Sequence, residues 1–143
     1  MYLQHSQLTP KILNRRNRIM YYCYESNYVK VPAEVPCTPL LYCVYEIITG
    51  GEDLERYLRG TIGKDPMEPV GGDPGWSLAP ELQEDGTTIY CAWVDEYMGV
   101  EPNEGDYDEG TVKYHIRQGL ENVLIEQPSR KDEIEKIFVK YDL

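Results

Sequence analysis

Hydrophobic and polar positions along the chain follow two periods. Val112, Ile116, Leu120, Val123 and Leu124 recur at the spacing of one helical face, which predicts a helix from about Thr111 to Gln127. Pro128 ends it. Ile134, Ile137, Phe138 and Tyr141 then give a second helix its apolar face, with Ser129 and Asp132 spaced as a capping box. Thr87 to Val94 (TTIYCAWV) alternates instead and predicts a strand entered from an Asp85-Gly86 turn. Ile19 to Val31, rich in Tyr, Val and Ile, reads as a strand or a bent strand pair. Leu40 to Ile48 is a continuous apolar run between proline and glycine. Its length and β-branched content favour a buried strand, although periodicity alone does not separate strand from helix here. From Gly51 to Gly60, acidic residues come first, arginines later and glycine last, the charge order a helix dipole favours. Leu54, Tyr57 and Leu58 supply the apolar face of that short helix.

The intervening stretches are polar or broken. Pro32, Pro36 and Pro39 predict a loop over Ala33 to Thr38. Residues 65–84 carry four prolines and three glycines around Trp76 and predict a long irregular loop. Residues 95–110 hold seven carboxylates and predict an acidic loop or hairpin tip. Residues 1–18 form a short helix or an extended basic arm, with four positive charges between Lys11 and Arg18. That cluster is a solvated face, a partner for acidic residues of the same molecule or, against the field of the whole chain, a nucleic-acid patch. The sum is one α+β domain over residues 1–143. It has a small, antiparallel, Tyr-rich sheet, a short helix between strands, and a C-terminal helix pair packed on the sheet.

Composition changes this picture mainly through charge. The chain of 143 residues has a net charge of −11, and the imbalance is local. Residues 1–64 carry a net +2 and residues 65–143 a net −13. From Asp65 to Val112 there are thirteen carboxylates and no Lys, Arg or His. Such a surface repels phosphate, which disfavours direct nucleic-acid binding, and it attracts basic partners. Aromatic residues lie within or beside it, and aromatic anchors among charges are a common composition of interface hot spots. The predicted partner-binding set is therefore Asp95, Glu96, Tyr97, Glu101, Glu104, Asp106, Tyr107, Asp108, Glu109 and Trp76. Of the two tryptophans, Trp93 in the alternating strand is the better candidate for the core.

The remaining chemistry is sparse. Cys23, Cys37, Cys43 and Cys91 form no CxxC pair and read as buried thiols. With no secretory leader and no run of about 18 apolar residues, this predicts a cytoplasmic protein without a membrane span. No metal or cofactor is predicted. Residues 95–109 lack the spacing of a calcium loop. No nucleotide, hydrolase or zinc-protease motif occurs, so the chain is not predicted to be an enzyme. A small enzyme using His115 and a cysteine is the alternative of that class.

Glu109-Gly110-Thr111 leads into a helix, Pro128 follows, and a short charged helix ends at Leu143. This ending of about 35 residues resembles that of some immunity proteins, small acidic proteins of contact-dependent inhibition and other polymorphic toxin systems. The resemblance implies a cytosolic inhibitor that covers the active site or substrate path of a toxin, often a basic nuclease. It rests on pattern and composition and carries over no functional residue. The expected function is a stoichiometric inhibitor of a basic partner. A phage-encoded antagonist of a host nuclease, acting as a nucleic-acid mimic, is the alternative within the binding class.

Overall fold

A computed structural model describes residues 11–12, 19–20, 37–72 and 75–143. Expectations for the rest of residues 1–36, including most of the basic arm and of the Ile19–Val31 strand, fall outside them. Among the described residues, four α-helices and one mixed sheet make an α+β domain. Strands β1 (Lys11–Ile12), β2 (Ile19–Met20), β3 (Gly71–Gly72), β4 (Trp76–Leu82), β5 (Thr88–Val94) and β6 (Glu104–Asp108) take the order β1-β2-β6-β5-β4-β3. The sheet is antiparallel from β3 to β6, whereas β2 joins β6 in parallel, with Met20 opposite Asp106.

Helix α1 (Thr38–Ile48) corrects the strand expected over Leu40 to Ile48. The run is apolar except for Glu46, but Leu40, Cys43, Val44, Ile47 and Ile48 are buried while Leu41 and Tyr45 are exposed. That is helical spacing, started by Pro39 in the first turn, where a missing N–H costs nothing. After a single 3-10 turn, α2 (Leu54–Gly60) forms as its charge order predicts.

The long loop over 65–84 is corrected as well. It contains β3 and β4, and β4 pairs with β5 along its whole length. Pro80 is tolerated because β3 reaches only as far as Ser77, so among the described residues nothing pairs with the outer edge of the later half of β4. Helices α3 (Glu109–Glu126) and α4 (Lys131–Tyr141) are the two expected C-terminal helices. The Ser129 capping box does not form. A 3-10 turn over Pro128–Arg130 intervenes, and Arg130 instead binds Glu133 through two hydrogen bonds of 2.9 and 3.0 Å.

The core lies between one sheet face and the helices. Trp76, Leu78, Tyr90, Ala92, Val94 and Tyr107 meet side chains of α1, α2, α3 and α4 there. Tyr90 is fully buried, yet its hydroxyl has no hydrogen-bond partner among the described residues. Burial, then the charge of Glu109, pushes its ionisation far above the ordinary tyrosine range. Such a hydroxyl loses its hydration without recompense. Tyr90→Phe is therefore expected to stabilise the protein by about 1 kcal/mol. A urea midpoint that falls instead would show that the hydroxyl is bonded in solution.

Candidate functional site

The acidic segment is divided among three kinds of structure. In β5 and β6 successive side chains alternate between faces. Tyr90, Ala92, Val94, Gly105 and Tyr107 turn toward the helices, and Cys91, Trp93, Glu104, Asp106 and Asp108 toward the other face. The expected loop over 95–110 is thus a loop only from Asp95 to Asn103. Beyond it the chain is strand and then the first turn of α3.

Five of the ten predicted partner-binding residues are committed to the fold. Trp76 is 3% exposed and packs edge-on against Tyr57, with ring centroids 5.4 Å apart. Asp106 and Tyr107 are fully buried, and each makes an interaction. Asp108 caps α3, its Oδ1 accepting a 2.8 Å hydrogen bond from the Thr111 N–H. Glu109 lies between Lys64 (2.8 Å) and Lys113 (3.3 Å). Burial acts to raise the Glu109 pKa, and the hydrogen bonds from the two lysines more than offset it. Those lysines immediately flank the segment that has no basic residue. Arg59 of α2 pairs with Glu68 at 3.7 Å as well, so the segment's self-repulsion is relieved by cations outside it.

The tryptophans are exchanged relative to expectation. Trp76 is in the core, and Trp93 is 38% exposed on the outer sheet face. Both strands alternate, and β5 turns its odd-numbered positions outward.

What stays at the surface is the end of the sheet where β5 passes into β6. Hydrogen bonds from the Asn103 side chain to the Val94 carbonyl (3.0 Å) and from the Val94 N–H to the Asn103 carbonyl (2.8 Å) close the base of this loop. Asp95 Oδ1 accepts from the Tyr97 N–H at 3.0 Å and starts a 3-10 turn, which ends at Gly99 in the left-handed region. Tyr97 is 89% exposed, with Glu96, Met98, Glu101 and Glu104 also exposed around it. Among the described residues, the side chains of Glu96 and Glu101 form no hydrogen bond or ion pair. This end therefore offers uncompensated negative charge beside aromatic surface, a combination suited to cationic groups.

Of the cysteines considered as partners for His115, Cys37, Cys43 and Cys91 are described and Cys23 lies outside the described residues. His115 is buried on α3, its ring edge-on to Tyr114. Burial pushes the Cys43 thiol up to about 12, with its sulfur 3.3 Å from the Ser77 carbonyl, so it is not a thiolate nucleophile near neutral pH. Cys91 lies on the opposite sheet face, its sulfur 3.8 Å from Glu81 Oε2. Cys37 is disulfide-bonded, to a residue outside the described ones, which corrects the reading of all four cysteines as thiols. Among the described residues no group of three His, Cys, Asp or Glu could hold a metal. No helix among them is long and apolar enough to cross a membrane.

No protein-family model, curated protein or solved structure matches the chain.

Proposed function

We propose that this protein is a stoichiometric inhibitor of the immunity type, which docks a basic partner such as a nuclease toxin on the β5–β6 end of its sheet. One observation supports the reading above the others. Among the described residues, Glu96 and Glu101 stand exposed and unpaired beside Tyr97, Met98 and Trp93, in a segment that supplies no basic residue of its own. Charge of this kind raises the association rate, and the neighbouring aromatic area supplies apolar contact. Nucleic-acid mimicry by a phage-borne antagonist uses the same surface, and the identity of the captured partner separates it from immunity. A cytoplasmic location does not follow from the cysteines, because a disulfide at Cys37 suits an oxidising compartment.

The test begins with the partner captured from the native cell on the full-length protein. Its affinity is then measured for the wild type and for a Glu96→Gln, Glu101→Gln double variant at two salt concentrations. Each lost charge pair contributes about 0.2–1 kcal/mol at an exposed rim. The double variant is expected to bind roughly twofold to thirtyfold more weakly, with a shallower salt dependence. Unchanged affinity and unchanged salt dependence would sink the proposal. Asp106, Asp108 and Glu109 are unsuitable for this test, since neutralising them perturbs the core, a helix cap and an ion-paired helix start.

A further inference from the structure

Among the described residues, Trp93 is the one large aromatic side chain that the sheet itself turns outward at this end, and it is not alone there. Asp95 follows two positions later on the same face, and Gly75 lies beside both, its carbonyl accepting the Asp95 N–H at 2.8 Å. A Cβ added to Gly75 would stand 3.2 Å from Trp93 Cη2 and 3.3 Å from Asp95 Oδ2. The indole edge and the carboxylate oxygen are therefore no more than about 6.5 Å apart, with Gly75 beside both, where a side chain would crowd them. Asp95 uses Oδ1 to hold the Tyr97 N–H, and Oδ2 takes no hydrogen bond from the described residues. Glu104 faces Trp93 from the neighbouring strand.

We propose that Trp93 and Asp95 form a seat for an arginine side chain of the partner, an inference that rests on the docking surface above. A guanidinium is planar, stacks on an indole face, and carries N–H groups on its rim that reach a carboxylate at the same time. Trp93 Cη2 and Asp95 Oδ2 both lie within 3.3 Å of one point beside Gly75, near enough for one planar cation stacked on the ring to reach the carboxylate at its rim. A lysine ammonium is a compact, strongly hydrated charge and meets either the ring or the carboxylate well, but not both in one plane. The seat thus reads the shape of the cation as well as its sign. The remaining carboxylates of the loop attract Arg and Lys alike.

The probe is a pair of peptides of equal length, hexa-arginine and hexalysine, titrated into the full-length protein and followed by calorimetry. The arginine peptide is expected to bind about fivefold tighter. Trp93→Leu and Asp95→Asn are each expected to erase that preference, and asparagine keeps an oxygen for the Tyr97 N–H so that the loop start persists. Glu96→Gln with Glu101→Gln is expected to weaken both peptides by the same factor and leave the preference intact. Circular dichroism on each variant confirms the fold. If both peptides bind with equal affinity, or if the preference survives in both seat variants, the arginine seat is wrong while the acidic docking surface stands. If neither peptide binds, the docking surface and the seat fail together.

Discussion

Trp76→Ala is expected to remove about 3–5 kcal/mol of folding stability, the range for truncating a large buried aromatic. Trp76 is the first residue of β4 and stands opposite Val94, in a core it shares with Leu78 and Ala92. Its ring meets Tyr57 of α2 edge-on, so the side chain joins the sheet to that helix. Truncation leaves a cavity that the paired backbone of β4 and β5 cannot collapse, and the loss belongs near the upper end of the range. The measurement is the denaturant midpoint at constant m-value, with Trp93 left as the fluorescent reporter. Partner affinity of the fraction still folded is expected to be unchanged. An unaltered midpoint together with weakened partner binding would return Trp76 to the interface and contradict the packing described above.

Gly60→Ala is expected to cost roughly 3 kcal/mol, more than most single-methyl insertions. Gly60 is the buried last residue of α2, and a Cβ there would lie 1.7 Å from the Glu68 carbonyl oxygen and 2.5 Å from Val70 Cγ2. A backbone carbonyl cannot rotate aside as a side chain does. Residues 61–70 would have to move, and with them the Val70 carbonyl, which accepts a 3.1 Å hydrogen bond from the Leu78 N–H. The informative control is Gly110→Ala in the first turn of α3, where an added Cβ meets nothing nearer than 3.8 Å. That control is expected to be neutral or to gain up to about 1 kcal/mol from helix propensity. Equal thermal midpoints for the two variants would show that the chain between α2 and β3 yields more easily than its contacts indicate.

Legibility in the sequence followed the strength of local pattern. The helix pair after residue 110 and the strand at Thr88–Val94 were readable because their burial repeats over several periods. Helix α1 was misread because residues 40–48 are apolar except for Glu46, so only the exposure of Leu41 and Tyr45 distinguishes helix from strand. Strand β4 was hidden by Pro80 within it and by the prolines and glycines that precede it. These look like loop until the pairing shows that, among the described residues, nothing pairs with the outer edge at Pro80 and that β3 is only two residues long. The disulfide at Cys37 left no mark in the local spacing of cysteines, since a disulfide depends on distance in space.

By itself the sequence determined where the negative charge lies along the chain, that no basic residue interrupts it from Asp65 to Val112, and where the last helices run. Those are properties of composition and local period, and no folding alters them. The tertiary structure decided which carboxylates are spent. Strand alternation turned Tyr107 into the core, Asp106 is fully buried on the opposite face at the β2–β6 pairing, the start of α3 engaged Asp108 and Glu109, and Glu96 and Glu101 were left at the surface. It also decided which tryptophan faces solvent, because the side a residue takes depends on register with the neighbouring strand, and a shift of one position exchanges the faces.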